Sequence, residues 1–158
     1  MDKVNDNRYV FVDFEMQPVD HRDHPDEWSI ARHEIIEFGA VMLDKNLKEI
    51  SEFQSYVKPR YSEKIQETVE AMTGITAETV SDAADFSEVF NKFVKWCSSD
   101  GLTYCVYAWS GADKGQLVHE IALKQIEKKP EVNYMLSHWF DFQKIFTKTI
   151  GRRLAVSL

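Results

Sequence analysis

Residues 8–16 read RYVFVDFEM, and Val10, Val12, Phe14 and Met16 alternate there with Tyr9, Phe11, Asp13 and Glu15. Both alternating sets are rich in large apolar side chains, so a strand at this place has to be covered on both faces. A lone hairpin and a sheet with one wet face are thereby excluded, and a central strand between two layers is required. The following residues supply the layers. Residues 35–43 and 47–57 are two further strand-like runs, linked by the turn pair Lys45-Asn46 and closed by Pro59, which predicts a three-strand antiparallel meander.

Helical spacing then takes over. Phe86, Val89, Phe90, Phe93, Val94 and Cys97 recur at i, i+3, i+4, i+7, i+8 and i+11, which predicts an amphipathic helix over 85–99 that Asp100 and Gly101 end. A helix is also expected over 62–72, capped by Ser62 and stopped by Gly74, with a short turn at 76–80. Residues 102–109 read as a buried strand, 113–126 as the helix after it, and 140–150 as another helix. The stretch 17–32, with Pro18 and Pro25, reads as a long surface loop. The sum is a mixed α/β sheet flanked by helices, in one domain over 1–158.

The chain carries 19 basic and 26 acidic residues, a net charge of −7, with 44% hydrophobic residues and only 6 Gly and 4 Pro. Disordered and low-complexity classes are excluded, and a surface this acidic repels polyanions unless a local site holds them. Cys97 and Cys105 make no disulfide framework and no metal knuckle, so a reducing, cytoplasmic setting is expected. No targeting segment is read at the start, and no run approaches the roughly 20 apolar residues of a membrane span.

Asp13 and Glu15 share one face of the first strand, because strand side chains alternate with a period of two. Two unpaired carboxylates in an apolar strand are costly, so they belong at a strand end or beside a cation, and an all-oxygen set suits Mg²⁺ or Mn²⁺. With twelve Asp and fourteen Glu, a D-x-E string arises about once by chance, so further acids are needed to make a site. Asp113 is the candidate, at the start of a helix after the strand 102–109, where an ordinary cap is the competing reading. His21 and Asp26 have H-x₄-D spacing but lie in the loop. His33, His119 and His138 read as surface or packing residues, Tyr104, Tyr107 and Trp109 as core, and Lys114 and Lys124 as a solvated face.

Taken in order, the motifs resemble those of the DEDDh (DnaQ-like) 3′ to 5′ exonucleases of the ribonuclease H-like fold. Val12-Asp13-Phe14-Glu15 is similar to the first motif and His33 to Val41 to the family's second strand. Met72-Thr73-Gly74-Ile75-Thr76 is similar to its helix-breaking T-G-I segment. Residues 107–117, with Asp113, resemble the second motif, and Trp139 to Phe142 the segment that follows. The likeness is greatest to the KapD-like and histone-mRNA-exonuclease-like subgroup. It implies three antiparallel strands followed by parallel ones, and a two-ion Mg²⁺ or Mn²⁺ site on Asp13, Glu15 and Asp113. It also implies release of nucleoside monophosphates from single-stranded RNA or DNA 3′ ends, with Phe14 and Met16 at the terminal nucleotide.

The family's third motif supplies a general-base His and a fourth Asp. No counterpart is found here, and Ser157 and Leu158 read as the start of the helix before it. The expectation is a C-terminally truncated domain with weak or no activity and with exposed apolar surface able to form a homodimer. The alternative is a non-catalytic nucleic-acid- or protein-binding module derived from the same fold.

Overall fold

In the computed structural model, which describes residues 8–62 and 64–150, the elements run β1 (Arg8–Pro18), α1 (Pro25–Ile30), β2 (His33–Asp44), β3 (Glu49–Tyr56), α2 (Glu67–Thr73), α3 (Ala77–Ser81) and α4 (Phe86–Cys97). They continue with β4 (Tyr104–Ala108), α5 (Gly111–Leu123), α6 (Pro130–Ser137), β5 (Trp139–Asp141) and α7 (Phe142–Ile150). One sheet has the order β3-β2-β1-β4-β5, with β1 at its centre. The first three strands pair antiparallel, and β4 and β5 join parallel, as the motifs imply.

Both faces of β1 are covered. Val10, Val12 and Phe14 enter a core with Phe38, the α4 phenylalanines, Leu117 and Ile121 of α5, and Val132 and Met135 of α6. On the opposite face Phe11 stacks on Tyr107 at 5.3 Å and meets the edge of Phe142 at 5.5 Å, so α7 supplies the second layer. A smaller cluster of Ile36, Ile75 and Val80 seats α2 and α3. The T-G-I segment is the hinge between those helices. Gly74 ends α2 with φ +75°, where a side chain is strained, and Thr76 and Thr79 form a reciprocal capping box for α3.

Four elements depart from the sequence reading. α1 lies inside the expected loop; it has Pro25 and two acids in its first turn but no buried residue, so no apolar stripe announces it. The expected helix over 62–72 begins only at Glu67, because the Ser62 hydroxyl donates to the Pro18 carbonyl (2.8 Å) and the Glu34 carboxylate (3.2 Å) instead of capping. α6 and β5 were not foreseen, β5 being three residues long and α6 burying only Val132 and Met135. Ser157 and Leu158 lie outside the described residues.

Candidate active site

β1 and β4 pair only from Arg8 with Tyr104 to Phe11 with Tyr107. Beyond that point β4 ends and the chain turns into α5, while β1 runs on to Pro18. A crevice therefore opens on the edge that β4 leaves at the carboxyl ends of the parallel strands, while β1 stays paired with antiparallel β2 along its other edge, the place at which open α/β sheets bind ligands. Asp13 and Glu15 lie on this exposed stretch of β1. The register sets Gly39 directly opposite Asp13, so no cross-strand side chain covers that carboxylate. A shallow groove of about 350 Å³, lined by Phe11, Asp13, Val41, Glu52 and Gln54, lies over it.

Asp113 reaches the same place from the other side. Ser110 caps α5 by accepting from the Ala112 amide at 3.2 Å, which aims the first helical turn at β1. The Phe14 amide, left free on the edge that β4 has vacated, donates to Asp113 Oδ1 at 3.3 Å. Asp113 is 7% exposed, and burial, then the neighbouring Asp13, push its pKa up to about 6. Glu15 is also raised, first by burial and then by Asp13, Glu37 and Asp113. Burial raises Asp13, opposed by the Phe14 amide. Among the described residues no Lys, Arg or His forms an ion pair with any of the three.

The donor set is therefore all-carboxylate, mutually repelling and without a protein cation, which fits a hard divalent ion such as Mg²⁺ or Mn²⁺. As they stand, no three His, Cys, Asp or Glu side chains among the described residues are placed to hold a metal ion together. A bound cation would offset the mutual repulsion of these acids.

The other candidates fall elsewhere. The Phe14 side chain is 5% exposed and packs on Phe38 (4.7 Å) and Trp139 (6.0 Å), so this residue meets the crevice through its amide. Met16 is half-buried and packs on the edge of the core. His21 faces Trp28 at 6.0 Å and, with Arg22 and Lys64, lines a separate cavity of about 450 Å³; nothing joins it to Asp26 among the described residues. His138 stacks on Tyr134 at 3.9 Å. Asp141 caps α7 through the Lys144 amide.

Lys124 overturns the solvated-face reading, for it is buried and paired with Glu34. Glu34 also accepts from the Arg60 and Tyr61 amides, both at 2.8 Å. Glu120 accepts from the Ile35 amide at 2.7 Å, and Gln116 donates to the His33 carbonyl at 2.7 Å. This buried polar web ties α5, and hence Asp113, to the start of β2. Its one legible trace is the helical spacing of Asp113, Gln116, Glu120 and Lys124 among apolar neighbours.

With the acids at the carboxyl edge of a mixed sheet, likeness to known proteins can be judged against geometry. A model of the Exonuclease family (RNase_T) matches residues 10–155. The chain belongs to the Exonuclease family. 3′-5′ exoribonuclease 1 of Rattus norvegicus is 38% identical over 79 residues, covering 47% of this chain and 23% of that protein. ERI1 exoribonuclease 2 of Xenopus laevis is 29% identical over 150 residues, 80% of this chain and 21% of that protein. The chain thus spans under a quarter of the length of these curated relatives. The nuclease domain of 3′hExo, a DEDDh family member bound to rAMP, superposes with a TM-score of 0.77 at 23% identity, over 94% of this chain and 73% of that one. Cell-death related nuclease 4 gives 0.76 at 22%, over 96% and 52%. The ribonuclease H-like fold implied by the motifs is the fold of these nucleases.

Proposed function

We propose that this exonuclease domain shortens single-stranded RNA from its 3′ end with Mg²⁺ or Mn²⁺ held by Asp13, Glu15 and Asp113. The observation that carries the reading is the convergence of three partly desolvated carboxylates, without a protein cation, at the carboxyl edge of β1 and β4. RNA is favoured over DNA because the curated relatives are exoribonucleases.

Divalent ions held by Asp13, Glu15 and Asp113 would supply an activated water and a counter-charge for the leaving 3′ oxygen. The protein's own part is placement. Asp13 stands exposed opposite Gly39, so a phosphodiester can approach it; the Phe14 amide orients Asp113; Met16 edges the place of the terminal nucleotide. Among the described residues no histidine interacts with the three acids, so proton removal from the attacking water is unassisted there and turnover by these residues alone is expected to be slow. A reducing, cytoplasmic setting suits Cys97 and Cys105, which are both buried and form no disulfide.

The test is a 5′-labelled single-stranded RNA and its DNA counterpart, incubated with the chain and Mg²⁺ or Mn²⁺. Stepwise shortening from the 3′ end that stops with chelator and in Asp13→Asn supports the reading. Internal cuts, or cation-independent binding with no shortening, would support a non-catalytic binding module or another nuclease class instead.

A further inference from the structure

The β1–β2 register sets Glu37 directly opposite Glu15. Paired residues of an antiparallel ladder project from the same face with Cβ atoms about 4.5–5.5 Å apart, and like charges so placed destabilise the sheet. A sheet under no other demand would set a lysine or threonine there. Glu37 is instead held in place from the far side, for Gln54 on β3 donates its Nε2 to Glu37 Oε1 at 2.7 Å. One oxygen is thereby engaged and the other is not. No Lys, Arg or His among the described residues pairs with Glu37. Gln54, which holds Glu37, also lines the groove over Asp13.

We propose that Glu37 is a fourth carboxylate of the cation site, a positioning residue that stands outside the Asp13, Glu15 and Asp113 set and strengthens cation binding through its charge. The inference rests on the cation reading given above. The Glu15–Glu37 repulsion is then the cost of a site whose field favours a divalent ion. Gln54, a neutral donor, orients Glu37 without cancelling its charge, which a lysine at that position would do. A unit charge about 7 Å from a divalent ion, screened nearly as in bulk water, changes affinity by about tenfold.

The experiment is a Mn²⁺ titration of the whole chain, with free ion followed by electron paramagnetic resonance, alongside urea denaturation. Glu37→Gln should weaken Mn²⁺ binding about tenfold while its urea midpoint stays level or rises. Glu37→Asp, which keeps the charge, should restore most of the affinity. Glu49→Gln makes the same change in net charge at the far end of the β2–β3 ladder and should leave binding unchanged. Equal Kd values for wild type, Glu37→Gln and Glu49→Gln, with Asp13→Asn still abolishing binding, would overturn the role of Glu37 and leave the cation site standing. Binding untouched by Asp13→Asn, or absent from the wild type, would overturn the site itself and this inference with it.

Discussion

Helix α5 buries acids at both of its ends, and the two ends treat them in opposite ways. Asp113, Gln116, Glu120 and Lys124 form one stripe, exposed by only 7, 8, 0 and 9%. At the far end the charges are compensated. Lys124 lies between Glu34 and Glu120, 3.6 Å from Glu120 Oε1, and backbone amides and Ser62 take up the remaining Glu34 oxygens. Glu120 Oε1 is within ion-pair reach but beyond hydrogen-bond reach of Lys124, which leaves it without a hydrogen-bond partner. At the near end Asp113 faces Asp13 and Glu15 with one amide and no cation. Burial of charge is thus common to both ends and marks neither as functional. The missing counter-charge is the difference on which the proposed cation site rests, because a fold that only had to bury Asp113 could have supplied a lysine there, as it did about three turns away.

The contrast breaks most sharply at Lys124. Lys124→Met keeps the volume and strands two buried carboxylates, so a loss of about 3–5 kcal/mol is expected by urea denaturation at pH 8. Burial, partly offset by Lys124, pushes Glu120 up to about 7, so the loss should shrink at pH 5, where that acid is protonated. A loss under about 1 kcal/mol would erase the distinction between the two ends.

Asp113→Asn should act with the opposite sign. The amide oxygen can still accept from Phe14, and an uncompensated charge is gone, so stability at pH 8 should hold or rise by about 1 kcal/mol. Cation-dependent shortening of RNA should nonetheless fall at least about a hundredfold. The pH dependence separates the effects further. Because the folded-state pKa of Asp113 is raised from its usual 3.8 to about 6, its contribution to stability is full below pH 3.8 and is lost as pH rises through 6. The Asn variant should lack that decline in a set of urea midpoints between pH 3.5 and 7.

The smallest effect belongs to Glu120→Gln. It keeps an acceptor for the Ile35 amide and leaves the Lys124–Glu34 pair intact, so a change within about 1 kcal/mol at pH 8 is expected. Glu120 is raised from 4.5, so its own decline in stability runs from pH 4.5 through 7 and should disappear in the variant. A large loss would mean that Lys124 needs both acids.

Much of this molecule is legible along the chain. β1 is announced by apolar side chains on both alternating sets, and α4 by six apolar positions at helical spacing, all of them buried. Asp13, Glu15 and Asp113 stand out as acids in apolar company. α1 and β5 escape because they are short, α1 burying no residue and β5 only Trp139, so no period exists to be read. Ser62 misleads because its hydroxyl has a partner 44 positions away that outcompetes a local cap.

The sequence by itself determined the three-strand meander and the central buried strand, since each follows from a period of two among neighbours, while the candidate acids were singled out by the order of motifs that resemble a known family. The tertiary structure alone decided which acids are compensated. Lys124 and Glu34 are 90 positions apart, Phe14 and Asp113 are 99 apart, and Glu15 meets Glu37 only through a strand register. Charge compensation acts through space across a few ångströms, and no local pattern records which distant group will fill that space or leave it to a cation.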